Sequence, residues 1–244
     1  IPSVHAAWPE GLFFDGRYDK MLKTKDWSFI MPVSDAAASK DALSYFSSKI
    51  RRHIDRRDVL LFTAAFLMSL AVHLYLFTHK FINHDDVLGL TSDLSFALSS
   101  GRWLLNLFSR LSGYLSMNWV NGLLGSFFLA MAAAYTVKTL RLRHWLSKLL
   151  VCFLMVSFPA VACIYAYMFC AYQYLFSLAC AAIGAYWIAK EKWGWILAGG
   201  TLIGLGMGCY QAYFAYAVVL LLTVYAIGVA QARWDNDVRQ TVLA

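Results

Sequence analysis

Two carboxylates stand side by side at Asp85 and Asp86, with Lys80 and His84 just before them and Arg102 farther on. A carboxylate at a partly dehydrated interface has a raised pKa and can act as a general base. A neighbouring cation counters that shift and can also bind phosphate. Arg102 offers a bidentate fork for this, while Lys80 and His84 are less specific. Such a set holds an anionic leaving group and deprotonates a hydroxyl, which is what sugar transfer from a lipid-linked phosphate sugar requires. In a soluble chain an Asp–Asp pair reads as an ordinary solvated turn, so the weight of this pair depends on its surroundings.

Two aromatic–amide clusters carry a second kind of chemistry. Tyr210, Gln211 and Tyr213 form one, and Tyr172, Gln173 and Tyr174 the other; Trp103 follows Arg102 directly. They read either as an interfacial aromatic belt or as a platform for an acceptor sugar, whose ring stacks on aromatic faces while glutamine donates and accepts. HExxH, GxGxxG and phosphate-loop patterns do not occur, so zinc and nucleotide chemistry find no support. The five cysteines lack CxxC spacing and read as small apolar residues, with a disulfide between Cys170 and Cys209 as a weaker option.

The elements that must position these groups are apolar. The 244 residues are 60% hydrophobic and 14% charged, against roughly 25% charged in soluble domains. The net charge of +7 would suggest nucleic acid in a soluble protein. Here the basic residues flank apolar runs, which makes topology the better explanation and nucleic acid no partner. About 20 residues at 1.5 Å rise cross a hydrocarbon core of roughly 30 Å. Spans are expected near 59–77, 119–137, 149–169 with a kink at Pro159, 172–189, 195–209 and 212–230. Six crossings make an all-α polytopic membrane bundle. His73 within the first span reads as a satisfied structural histidine, although intramembrane ionisable groups are functional candidates. Asn121 reads as an interhelical hydrogen bond. Gly200, Gly204 and Gly208, spaced by four, read as a face that lets a neighbouring backbone approach, with Gly199 and Gly206 broadening the thin surface.

Flanking charge orients the bundle. Lys and Arg number five in 49–57 and four in 138–148, joined by Lys190, Lys192, Arg233 and Arg239. The alternate flanks hold only Lys80, Arg102 and Arg110. The positive-inside rule therefore places the first set in the cytoplasm and the loop 78–118 outside. Apolar residues recur at helical spacing along that loop, so amphipathic helices broken near Ser99–Gly101 are expected to lie on the outer face and roof a cavity. Residues 1–57 form a cytoplasmic arm with a surface helix, capped by Asp35 or Ser34, and 233–244 a cytoplasmic tail. No signal peptide opens the chain. It begins with Ile1 and ends soon after an apolar segment, so it reads as a fragment.

FINHDDVLG, SGRWLLNLF, SFPAVACIYAYMFCAYQYLFSLA and GLGMGCYQAYFAYAV together resemble the bacterial O-antigen glucosyltransferases of the glucosyl transferase II type, themselves similar to the larger GT-C class. The resemblance runs from about residue 58 to 230. It implies glucose transfer from undecaprenyl-phosphate glucose to a lipopolysaccharide O-antigen repeat, on the periplasmic side of the inner membrane. It further implies that a carboxylate of the first outer loop is the base, a role that falls to Asp85 or Asp86, and, since some GT-C enzymes are similar to metal users, it leaves one cofactor open, a divalent metal at Asp85 and Asp86. Gly101–Arg102–Trp103 matches the family's loop and assigns the donor phosphate to Arg102. Such enzymes usually have more spans and often a C-terminal outer domain, which this chain does not show. Two rival readings are a transporter or flippase of a lipid-linked sugar and a non-catalytic membrane scaffold. The first would want ionisable groups deep in several spans, and only His73 is there.

Overall fold

In a computed structural model the described residues are 55–79, 85 and 98–243, except 112–116, with side chains described as far as 231 and not at 110 and 111. The expected N-terminal arm, with its Ser34 or Asp35 cap, lies outside them. The chain divides into a unit of residues 1–53 and a unit of residues 54–244. The described residues all belong to the second.

Among the described residues the structure is all-helical. In chain order α1 is Arg56–Thr78, α2 Trp103–Leu111, α3 Asn118–Thr139, α4 Trp145–Ser157, α5 Pro159–Ala166, α6 Ala171–Ile188, α7 Trp193–Met207 and α8 Tyr213–Leu243. α1, α3 and the first part of α8 are long and apolar enough to cross a membrane, and the bent pair α4–α5 makes a fourth crossing if taken as one span. Six had been expected. α7, at 15 residues, rises only roughly 22 Å. α6 carries Tyr172, Gln173, Tyr174 and Ser177 in its first two turns.

The apolar surface marks the chain as membrane-embedded. α1 buries a single stripe, Leu61, Ala65, Ser69, His73 and Phe77, each four residues after the last. Around it Leu60, Leu67, Val72 and Leu74 stay exposed. α8 likewise exposes Phe214, Val219, Leu222 and Tyr225. Continuous exposed apolar faces of this kind fit lipid rather than water.

α6 is the central element and packs against α3 on one side and α7 on the other. The α6–α7 contact is backbone to backbone. A Cβ on Gly184 would sit 2.7 Å from the Gly199 carbonyl oxygen, and one on Gly199 would sit 2.6 Å from that of Gly184. The expected glycine face is corrected here: Gly200 and Gly204 have nothing within 4 Å. The face one residue over, Gly199, Ile203 and Gly206, makes the contact. A spacing of four defines a stripe but not which stripe meets a neighbour.

Polar groups inside the bundle find partners, as burial demands. α4 and α5 meet at a 41° bend, where Pro159 opens α5 and cannot donate to the preceding turn. His73 Nε2 lies 3.0 Å from the Val156 carbonyl beside that break, and its ring packs 4.8 Å from Tyr165. The histidine thus closes the bend. Asn121 donates to the Met168 carbonyl at 2.9 Å. All five thiols are free, so Cys170 and Cys209 form no disulfide.

Candidate functional site

The short helix α2 lies in the segment between α1 and α3 and docks onto the bundle. Its Leu104, Leu105, Asn106 and Ser109 are buried, while Trp103 and Leu107 are about half exposed. A helix start leaves backbone N–H groups without intrahelical partners. Here the Gly208 carbonyl, in the turn between α7 and α8, accepts from the N–H of Leu104 at 2.9 Å and of Leu105 at 3.2 Å. A Cβ on Gly208 would meet the Trp103 ring at 2.8 Å, so the turn admits α2 only because it lacks one. Just before α2, Gly101 has φ +77°, a region that side chains rarely adopt. Gln211 Nε2 donates to the Ser100 carbonyl at 2.8 Å. It occupies the space that a Cβ on residue 101 would need.

The other side of α2 is fixed by α6. The Tyr172 hydroxyl donates to the Phe108 carbonyl at 3.0 Å. Gln173 is fully buried, with Nε2 3.5 Å from Ser109 Oγ. Phe108 and Phe176 meet edge to face at 5.2 Å. Six bonds and contacts of this kind make α2 a docked element rather than a helix adrift on the surface.

That docking sets Arg102 between two tyrosines. Its Nη1 donates to the Tyr174 hydroxyl at 3.3 Å, a long bond. Its guanidinium carbon lies 5.2 Å from the centre of the Tyr210 ring, within cation–π range. Tyr174 and Tyr210 stack at 4.3 Å, and Tyr213 meets Tyr210 edge-on at 5.5 Å. The arginine is half-buried, and its Nε is buried with no hydrogen-bond partner. No carboxylate pairs with it among the described residues. A guanidinium with five donors, one neutral acceptor and one ring face is set up to take an anion.

Two apolar hollows open among the same helices. One, of about 290 Å³, is lined by Phe108, Val120, Leu124 and Tyr172. The other, of about 450 Å³, follows the α4–α5 bend and is lined by Met155, Phe158, Ile164, Leu178, Tyr213 and Tyr216. Tyr213 belongs both to this second hollow and to the ring cluster under Arg102.

The structure therefore gathers Arg102, Trp103, Tyr172, Gln173, Tyr210 and Gln211 around one docked helix. Tyr172 and Gln173 lie beneath α2, whereas Arg102, Trp103 and Tyr210 reach its surface. Asp85 is helical and half-buried. Lys80, His84 and Asp86 lie outside the described residues. Among the described residues no three His, Cys, Asp or Glu side chains gather as metal ligands. Two contributors were not assigned from sequence: Tyr174 as the hydroxyl partner of Arg102, and Gly208 as the cap of α2. The first was visible only as one of an aromatic trio. The second was visible only as a member of a glycine series.

No curated relative and no solved structure matches the chain. A family match does, over residues 74–238, taking in Asp85, α2, the whole of α6 and the Gly208–Gln211 turn. With about two thirds of its length inside that match, the chain belongs to the family described as Glucosyl transferase GtrII.

Proposed function

We propose that the chain moves a glucosyl group from a polyprenyl-phosphate sugar to a cell-surface polysaccharide such as lipopolysaccharide O-antigen, at the periplasmic face of the bacterial inner membrane. The observation that carries this reading is Arg102, a half-buried cation with an orphaned Nε and no carboxylate partner among the described residues. Membership of a glucosyl transferase family supplies the reaction class. A phosphate-linked, lipid-borne donor is the reading supported by the orphaned Nε of the guanidinium and by the apolar hollow reached through Tyr210 and Tyr213.

In the reaction the acceptor hydroxyl oxygen attacks the anomeric carbon. The bond from that carbon to the phosphate oxygen breaks, and polyprenyl phosphate departs with the electron pair. Arg102 holds the phosphate and offsets the charge that grows on it, a contribution made larger by the low-dielectric setting. Asp85 or Asp86 takes the hydroxyl proton as general base. The exposed faces of Trp103 and Tyr210 offer stacking surfaces for sugar rings. Tyr172, Gln173 and Gln211 keep α2 in register, so that the guanidinium does not drift from the reacting phosphate. The hollow along the α4–α5 bend, joined to Arg102 through Tyr213 and Tyr210, suits the isoprenoid chain.

The test is mass spectrometry of lipopolysaccharide from cells carrying the full-length gene, wild type or Arg102→Gln. The expected result is an added hexose per repeat that the variant loses while its membrane level stays normal. Full hexose addition by Arg102→Gln rules out its role at the phosphate, and no hexose addition by the wild type rules out the reaction.

A further inference from the structure

The opposite end of α6 holds a second concentration of charge that glucosyl transfer does not use. Lys138 at the end of α3, Arg141 in the α3–α4 turn, and Lys190 and Lys192 in the α6–α7 turn line a pocket of about 800 Å³, together with Tyr186 and Trp195. From Tyr174 to Tyr186 the rise along α6 is roughly 18 Å, so this pocket and Arg102 are separate sites.

Three features set it apart from a merely basic loop. First, two of the four cations lie against rings, while Arg141 and Lys192 are exposed. Lys190 Nζ lies 4.0 Å from the Trp195 ring centre and 4.6 Å from that of Tyr186, and Lys138 Nζ lies 5.8 Å from Tyr186. Second, the charges outnumber their partners. Among the described residues one ion pair touches the pocket, Lys138 to Asp58 at 2.7 Å, leaving Arg141, Lys190 and Lys192 against Glu191. Lys190 is held below the usual lysine range, by burial first and then by Lys138 and Lys192. Third, Arg141 at φ 53° and Glu191 at φ 59° are the non-glycine residues with positive φ among those described, and both line the pocket. Glycine suits that conformation better, yet charged side chains are kept at both turns.

We propose that this pocket binds the phosphate headgroup of an anionic membrane phospholipid. A phosphodiester brings the negative charge that the trio of cations lacks. Its glycerol end can lie against Tyr186 and Trp195, and its acyl chains can run along the exposed apolar faces of Leu197 on α7 and Leu146 on α4. Basic pockets between membrane helices are suited to this kind of lipid. Nothing in the inference depends on the sugar reaction at Arg102.

The experiment is native mass spectrometry of the full chain released from nanodiscs of mixed phosphatidylglycerol and phosphatidylcholine. Wild type is expected to retain phosphatidylglycerol in preference. Arg141→Gln/Lys190→Gln is expected to retain roughly 5- to 30-fold less, on the scale of two basic residues at a membrane surface. Arg141→Lys/Lys190→Arg should keep the lipid, and so should Arg102→Gln. Equal retention of both lipids by wild type overturns the proposal, as does undiminished retention by the glutamine variant. Displacement of the lipid by inorganic phosphate alone would assign the pocket to a free anion and overturn it equally. If the glutamine variant fails to fold, the wild type still decides. Its phosphatidylglycerol preference must fall as salt is raised, and a salt-independent preference overturns the proposal.

Discussion

The two ends of α6 treat positive charge in opposite ways. At the Tyr174 end one half-buried arginine lies over the Tyr210 ring and bonds the Tyr174 hydroxyl, on a loop fixed by backbone bonds to Gly208 and by the Gln211 bridge to Ser100. At the Tyr186 end four cations surround a larger and wetter pocket, with one ion pair among the described residues. Coulomb interactions grow as water is excluded, so a single oriented guanidinium can follow charge developing during a reaction. Several hydrated cations instead attract an anion at the surface without fixing its geometry, and salt weakens them. In the proposed reading the first arrangement serves a transition state and the second serves residence.

The largest effect that would sharpen this contrast is expected from the carboxylates. Asp85→Asn or Asp86→Asn should lower transfer by about 10²- to 10⁴-fold, measured as hexose added per repeat at matched protein level. Wild-type transfer by both single variants would remove the base from this loop.

Next comes Arg102→Gln, with a loss of about 10²- to 10³-fold. Arg102→Lys should recover only part of it, because ammonium keeps the charge without the planar fork. Full recovery by lysine would reduce the site to a point charge and erase the difference from the Tyr186 end. In the same assay Lys190→Gln should leave transfer in place.

A smaller effect falls on α2 docking. Gly208→Ala puts a methyl 2.8 Å from the Trp103 ring and should expose residues 98–111 to limited proteolysis while reducing transfer. Gln211→Ala removes one hydrogen bond, worth about 1 kcal/mol, and should do the same more mildly. Unchanged protease resistance in Gly208→Ala would mean that the turn does not hold α2.

The smallest effect on transfer is expected at His73. His73→Phe loses the bond to Val156, leaves a buried carbonyl short of a donor, and should lower thermal stability by about 1–3 kcal/mol with transfer retained. Loss of transfer at full stability would give this histidine a role in the chemistry.

Much of the scaffold was legible because its signals are local. The apolar run 59–77 lies within α1, and the proline at 159 sits where α4 gives way to α5. The turn expected near 208–212 separates α7 from α8. The site was legible only in parts. Arg102 and the Tyr210–Gln211 pair were each visible as candidates, yet 108 positions of chain separate Arg102 from Tyr210, and no local pattern pairs them. The glycine stripe shows the same limit, since Gly200 and Gly204 have the regular spacing yet meet nothing, while Gly199 faces α6.

Apolar length and the residues that interrupt it were enough to set where helices run and where they stop. The hydrocarbon core requires backbone groups to bond within their own segment. Which faces meet was decided by the tertiary structure alone. Lipid is as apolar as the helix surfaces, so hydrophobicity does not choose a partner, and close backbone approach and a few buried hydrogen bonds do. Here that choice laid α2 across the start of α6 and brought Arg102, Tyr174 and Tyr210 together.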